Sequence, residues 1–368
     1  MRLGRALAIV AVNVALSLHT CGAQEAERAG LKIGLLLPPE EPQAISIREG
    51  VLLAQEQTGK TSTGPLHAVI RGRIGQWGAD AVEAARMVTD EEVEGLITPP
   101  DGAAAHLVLQ VSGRTAVPVV SLCADSSVSR TGVPWMVRLV PRTVEEAAAL
   151  FTNVPSGTPG KPDRWLALVP NGRAGREIAR DLKAAALACN CRLDPAVEVS
   201  SSFTNGDLRA VLSQRPDAIL IWLAPIPCSE LAKRLRSAGY GGVLAGPGWL
   251  HSASFTSAAG EVAEGFLIPG IVPTDDSPGR WRSFQDAFQQ RWGHEPDWMA
   301  GMSYDAAVLL MQILKQGGFQ GPSHHLPAGF LWRGVTGDLI FDSDGNRQVK
   351  LELLRGHANG FRAPHHGD

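Results

Sequence analysis

The stretch 93–127, VEGLITPPDGAAAHLVLQVSGRTAVPVVSLCADSS, constrains the fold more than any other. It holds two short apolar runs, 93–98 and 117–122, each followed at once by a polar or Gly-containing loop. Between them, residues 102–114 carry Ala104, Leu107, Val108 and Val111 at helical spacing. Strand, helix and strand in this rhythm make a βαβ unit, and a parallel sheet is its usual product. Ligands of open parallel sheets sit beyond the carboxyl ends of the strands. The loops 99–103 and 123–127 are therefore expected side by side at one mouth.

The same alternation continues along the chain. Residues 31–37, LKIGLLL, read as a buried strand; 44–58 as a helix through Ile45, Val51, Leu52 and Ala54; and 66–71 as a second strand. Residues 79–92 form the next helix, with Val82, Ala85, Met87 and Val88 on one side. After a strand at 135–140, Thr143 and Glu146 carry the capping-box pattern that opens a helix. Pro141, at the end of that strand, marks a crossing into a second domain. A second series follows, with strands at 164–169, 195–199, 218–223, 242–245 and 265–272. Helices fill the gaps, the one at 228–238 being stopped by Gly239. Two helices, 277–292 and 298–316, come next. Residues 338–341 and 349–354 are expected to form a hairpin about Asp344-Gly345. The tail, 362–368, is expected to be loose.

A chain of 368 residues, 44% hydrophobic and 19% charged, has room for two domains. A net charge of −3 and the lack of any basic run interleaved with aromatics argue against nucleic acid as a partner. The first residues read MRLGRALAIVAVNVALSLHTCGAQ. Arg2 and Arg5 head an apolar run too short to span a bilayer, which fits a secretory signal over 1–23. Two processing routes compete: a small-residue cleavage site at Cys21-Gly22-Ala23, and a lipoprotein box, Leu18-His19-Thr20-Cys21, that would anchor lipid at Cys21. Cys123, Cys189, Cys191 and Cys228 remain, most of them expected as buried inert thiols. His324-His325 and His365-His366 are adjacent pairs on loops, expected in solvent and not as metal ligands. No metal or cofactor is expected.

The chain shows no GxSxG, HExxH or P-loop. Gly172 and Gly175 resemble a dinucleotide loop only faintly, and Pro170 removes one backbone N–H from any phosphate cradle there. An enzyme is therefore not expected.

Several marks occur in one order across residues 31–361. Arg48-Glu49-Gly50-Val51 with Leu53-Ala54 looks like a first helix, and Pro118-Val119-Val120-Ser121 like a "vPvis" strand. Val137-Arg138-Leu139-Val140-Pro141 looks like an "fR..p" strand before a crossover. Ser303-Tyr304-Asp305-Ala306-Ala307 looks like a "YDA" helix, after 284–292 and Pro296. Residues 336–342 with Gly345-Asn346-Arg347 look like a closing "G..G.i.FD..G.r" segment. In this order the chain resembles the type I periplasmic binding proteins, the Leu/Ile/Val-binding family that serves ABC importers. The resemblance implies an α/β fold of two Rossmann-like lobes with parallel sheets, joined by a three-strand hinge. Lobe 1 would hold 31–142 and 274–330, and lobe 2 would hold 143–273 and 331–361. The hinge strands would pass near Pro141, Pro273 and 328–332.

It further implies a protein of the periplasm that traps an amino-acid-like or other polar solute in a cleft closed by hinge motion. The solute would pass to an ABC permease in the inner membrane. A sensor or regulatory subunit of the same fold is the alternative. The family's ligand positions fall at Asp101-Gly102-Ala103, Ala124-Asp125, Asn171-Gly172-Arg173 and near Gly248-Trp249. No hydroxyl stands at the first, Asp replaces Thr at the second, no Tyr stands at the third, and no carboxylate at the fourth. Branched-chain amino acids are therefore not the assured ligand. The N–H groups of Gly102 and Ala103, at a helix start, would suit a carboxylate. Asp101 or Asp125 would suit an ammonium or hydroxyls, although both also stand where Asp caps helices. Arg173 would reach across as a bidentate partner, and Trp249 or Trp77 would stack on an apolar group. On this reading Asp125→Ala and Arg173→Ala each weaken the thermal shift that a true ligand produces; unchanged shifts in both variants would remove the two residues from the site.

Overall fold

The computed structural model describes residues 30–37, 42–59, 65–72, 78–154, 162–271, 278–317, 330–357 and 360–363. The signal segment with Cys21, Trp77, both histidine pairs, Pro273 and residues 364–368 of the tail lie outside the described residues.

The first sheet is built from β1 (Leu31–Leu37), β2 (Leu66–Gly72), β3 (Gly95–Thr98), β4 (Val119–Ser121) and β5 (Met136–Arg138). Their order is β2-β1-β3-β4-β5, and every pairing is parallel. Continuous apolar runs such as LKIGLLL suit strands covered on both faces. On one face Ile33, Leu35 and Leu37 pack against Ile47 and Val51 of α1 (Pro42–Thr58) and Met302 and Leu310 of α10 (Trp298–Lys315). On the other, Leu36, Leu96 and Val119 meet Met87 of α2 (Ala79–Thr89) and Val108 of α3 (Gly102–Thr115). α10 thus completes a sheet whose strands lie far before it in the chain.

After α4 (Thr143–Asn153) the chain builds a second sheet. It holds β6 (Arg164–Pro170), β7 (Arg192–Leu193), β8 (Val197–Val199), β9 (Ala218–Ile221), β10 (Val243–Ala245) and β11 (Leu267–Ile271), then β14 (Leu351–His357) and β15 (Gly360–Arg362). The order is β15-β14-β11-β10-β9-β6-β7, with β8 also on β6; β14 runs against the other strands, so its pairings with β11 and β15 are antiparallel. Leu150 and Phe151 of α4, with Leu182 of α5 (Arg173–Ala188), cover one face. Leu208 of α6 (Asn205–Ser213), Leu231 and Leu235 of α7 (Pro225–Ser237) and Phe255 of α8 (Ala253–Ala259) cover the other. This is the two-lobe α/β fold expected.

Local details differ from the sequence reading. The helix after Pro141 is capped one residue earlier than expected. The Arg142 N–H donates to Glu145 Oε2 at 2.8 Å, while Glu146 turns inward to another partner. Ile45 and Val82 are half exposed, because α1 buries Ala44, Ile47, Val51 and Ala54, and α2 buries Asp80, Ala84 and Met87. The turn at Asp344-Gly345 forms, with Phe341 bridged antiparallel to Arg347 and the Gln348 N–H donating to the Ile340 carbonyl at 2.7 Å, but 351–357 then crosses to the second sheet instead of continuing the pair. A further hairpin pairs β12 (Leu331–Gly334) with β13 (Gly337–Ile340), and Asp305 on α10 holds its turn. Its carboxylate accepts from the Val335 N–H (2.8 Å), the Thr336 N–H (2.9 Å) and the Thr336 hydroxyl (2.5 Å), which fixes the β12–β13 turn. Residues 331–361 therefore divide. Leu339 lies in the core of the first sheet, and β14 and β15 lie in the second. Cys189 and Cys191 are half-buried, not buried, and the four described cysteines are free thiols.

Gly50 lets α1 cross close over α10. A Cβ there would overlap the Ala300 carbonyl oxygen and Ser303 Oγ of α10. Gly50→Ala gains up to about 1 kcal/mol of helix propensity. Overpacking against backbone costs about 1–3 kcal/mol, so net destabilisation is expected. A urea melt checks this, and a variant as stable as the parent would show that the crossing yields.

Candidate functional site

In each sheet the strand order reverses at one point, between β1 and β3 in the first and between β6 and β9 in the second. The crevice beyond such a point is where open α/β sheets bind ligands. The two crevices face each other. A cavity of about 470 Å³ is lined by Leu36, Leu37 and Pro99 from one side and by Pro170, Trp222 and Leu223 from the other. Two smaller compartments, about 40 and 140 Å³, adjoin it; all three share Pro100 and Trp249. They form one interlobe cleft.

The first lobe's wall is set by Arg138. Its buried guanidinium donates from Nη1 to the carbonyls of Cys123 (2.9 Å) and Asp125 (2.8 Å), and from Nη2 to Ser129 Oγ (3.1 Å). These bonds hold the loop after β4 open toward the cleft. The Ser127 N–H then donates to Asp125 Oδ1 at 2.8 Å. His106 Nε2 lies 3.8 Å from Asp125 Oδ2 and 2.8 Å from Ser127 Oγ. Burial alone would raise the Asp125 carboxyl. Hydrogen bonds with Ser127, and the nearby His106, outweigh it and hold Asp125 below the usual carboxylate range.

The second lobe answers with acids. Glu177 and Asp181, one turn apart on α5, line the 140 Å³ compartment with Asp101 and Asp125. The Ser126 N–H reaches Asp181 Oδ2 across the cleft at 3.4 Å, and Arg180 Nη2 stands 3.9 Å from Asp125 Oδ1. Trp249 is fixed by its indole N–H, which donates to the Leu223 carbonyl at 3.2 Å, and by an edge contact with Trp222 at 6.0 Å. Glu146 lines the smallest compartment; its Oε1 accepts from the Gly248 N–H at 3.0 Å, and its buried Oε2 has no hydrogen-bond partner.

Asp101, Gly102, Ala124, Asp125 and Trp249 meet at this cleft. Asp101 also caps α3, accepting from the Ala104 N–H at 2.7 Å, so the capping reading of it holds while it lines the cleft. Ala103 lines none of the three compartments. Arg173 stands outside the lining, 58% exposed, with Nε 2.7 Å from Glu177. The faint dinucleotide likeness has another cause: a Cβ at Gly175 would overlap the Pro170 carbonyl, so α5 needs glycine to start against β6. Cys123 is inert, since burial pushes its thiol up to about 12. Among the described residues no cluster of His, Cys, Asp and Glu can hold a metal ion.

The sequence reading missed Glu146, Glu177 and Asp181. An Asp or Glu four residues from its neighbour on a helix reads as a solvated face. Glu177 and Asp181 show that spacing, and only the opposing lobe makes it a wall.

Glu146 gives the site a pH signature. Burial pushes its carboxyl from 4.5 up to about 8, with the Gly248 N–H opposing and Glu145 adding to the rise. Between those values the folded chain holds a proton that the unfolded chain has lost. Stability therefore falls as pH climbs from 4.5 to about 8. Glu146→Gln removes this slope and is expected to gain on the order of 3–5 kcal/mol over the parent above that range. Paired melts at low and high pH check it; parallel pH curves for the two proteins would refute the buried, protonated state.

The profile of a family described as periplasmic binding protein matches residues 30–328. By sequence, no curated protein matches the chain. A leucine-binding protein, LivK, from Thermotoga maritima superposes with a TM-score of 0.78 at 18% identity, over 91% of this chain and 97% of that one. The LivJ substrate-binding protein of Streptococcus pneumoniae, solved with isoleucine, gives 0.77 at 16% identity, over 91% and 98%. A solute-binding protein of an ABC transporter from Rhodopseudomonas palustris, solved with benzoate, gives 0.77 at 19% identity, over 91% and 95%. At these identities the likeness is one of fold. Both sheets are built in the type I fold that these proteins share, and with the profile spanning most of its length the chain belongs to the periplasmic binding protein family.

Proposed function

We propose that this chain is an exported solute-binding protein that traps a small ligand between its lobes and delivers it to an ABC permease in the inner membrane. One observation carries the reading: the switch points of both sheets open into a single cavity of about 470 Å³. That is the size of a small-molecule site, and its lining is mostly apolar with few polar groups, as such sites are. Neither wall encloses a ligand alone, so capture requires both lobes, and a ligand that touches both favours the closed form. The binder alters nothing it carries.

The arginine-headed apolar segment at 1–23 supports export. No helix among the described residues is long and apolar enough to cross a membrane. Lipid at Cys21 would tether the protein near its permease. We keep the lobes at 31–142 with 274–330 and 143–273 with 331–361, except that β12 and β13 go with the first lobe, whose core holds Leu339, and we place the ligand against Asp101, Gly102, Ala124, Asp125 and Trp249. The related proteins solved with isoleucine and with benzoate show that one fold serves zwitterions and aromatic acids alike.

A thermal-shift screen of small amines, amides, organic acids and amino acids tests the reading. A true ligand raises the melting temperature with concentration, by mass action on the folded form. Trp249→Ala is expected to weaken binding of that ligand at least about tenfold while the circular dichroism of the free protein is kept. Binding untouched by loss of Trp249 would place the ligand elsewhere.

A further inference from the structure

Among the described residues, every titratable side chain that lines the cleft is an acid: Asp80, Asp101, Asp125, Glu146, Glu177 and Asp181. Three guanidiniums lie close by, all engaged: Arg138 is buried behind the loop after β4, where it donates to the Asp125 carbonyl at 2.8 Å, and two stand on the rim. Arg173 is held by Glu177, and Arg180 lies 3.4 Å from Asp181 and 3.9 Å from Asp125; both are more than half exposed. His106 approaches Asp125 from within its own lobe.

Two carboxylate oxygens in the lining are buried without a hydrogen-bond partner, Asp125 Oδ2 and Glu146 Oε2. The Asp125 side chain is only 9% exposed, and Glu146 is 4% exposed. Buried acceptors of this kind are costly unless something donates to them. They lie in adjacent compartments, both bordered by Ala124, Pro100 and Trp249. Gly102 keeps the first one open, since a Cβ there would come within 2.9 Å of Asp125 Oδ2. A ligand carboxylate entering here would face four acids. A ligand cation would meet the Asp125 Oδ2 acceptor, the Glu146 carboxyl beside it being held protonated, on an aromatic and proline surface suited to an apolar body.

We propose that the cleft selects an organic cation: a protonated amine on an apolar or aromatic body and without a carboxylate of its own. The ammonium lodges between Asp125 of the first lobe and Glu177 of the second, and the body lies against Pro100 and Trp249. This inference rests on the cleft being the ligand site. Because Asp125 and Glu177 come from opposite lobes, one ammonium bridges them and draws the lobes together. An amine has three donors to share, enough for the Asp125 oxygen and for Glu177 at once.

The test matches probes by body and varies only the head group. Phenethylamine and isoamylamine are compared with phenethyl alcohol, hydrocinnamate, isocaproate, leucine and benzoate on the full-length protein. Thermal shift and calorimetry are the readouts, at probe concentrations up to about 10 mM. At least one of the two amines is expected to bind, and to bind at least about tenfold more tightly than the alcohol or carboxylate of the same body. Glu177→Gln and Asp125→Asn are each expected to weaken amine binding about tenfold or more. Glu177 lies at the helix surface, so its variant keeps the fold should Asp125→Asn lose it. No shift with either amine, or tighter binding of a carboxylate, overturns the proposal. Should a carboxylate bind in a manner abolished by Trp249→Ala, the cleft remains the ligand site and only the cationic class falls. Should an amine bind equally to the parent and to Trp249→Ala, the cleft itself is wrong.

Discussion

The structure depends on a buried positive charge. Arg138 ends β5 at the floor of the first sheet, fully out of solvent, and burial pushes its guanidinium below the usual arginine value. Removing an ion from water is expensive unless it is well hydrogen-bonded. The compensation comes from the loop after β4: the carbonyls of Cys123 and Asp125 and the hydroxyl of Ser129. The backbone of Arg138 also pairs with the turn at 345–347, its N–H to the Gly345 carbonyl and its carbonyl to the Arg347 N–H. One residue thus fixes the loop that carries the site and docks the segment that returns from β13 toward the second sheet. Without that charge the loop would have little reason to point its carbonyls inward and its Asp125 carboxylate outward.

From that loop the cleft follows. Asp125 is aimed at the second lobe, where α5 presents Glu177 and Asp181 and the Ser126 N–H already reaches Asp181. Trp249 is braced by Trp222 and the Leu223 carbonyl, so its ring is a fixed surface. Glu146 reaches from the first turn of α4 to the Gly248 N–H beside that ring, and so ties the start of the second lobe to its own cleft loop. The result is an apolar slot with acids at its edges, walled by both lobes. Rigid walls and few polar groups are what a binding protein needs, since most of the selectivity then lies in where the charges stand.

The fold was legible because its signal is local and repeated. LKIGLLL, the VEGLIT and VPVVSL runs and the second series each announce a buried strand, and the loops after them announce the mouth. Errors arose where two local signals competed. In α1 and α2 the apolar count placed Ile45 and Val82 inside, yet the helices turn so that Ile47, Ala84 and Met87 face the sheet. Asp344-Gly345 does make a turn, but the strand after it crosses to the second sheet, and Asp305, distant in sequence, captures Val335 and Thr336 and sets a hairpin that no local signal announces. Arg173 looked like a cleft arginine until a glutamate one turn along its own helix claimed it.

The sequence by itself determined the alternation of strands and helices, the family, and the loops at Asp101, Asp125 and Trp249 that end the cleft-side strands. These follow from periodicity, from turn chemistry and from the order of motifs, all carried by neighbours in the chain. Tertiary structure alone decided which acids share the site. Glu146 finds its partner 102 residues away, and Ser126 meets Asp181 55 residues away. A helix's period says which residues share a face, but not what that face will meet. The burial of these carboxyl groups comes into being only when distant segments of the chain are set against each other.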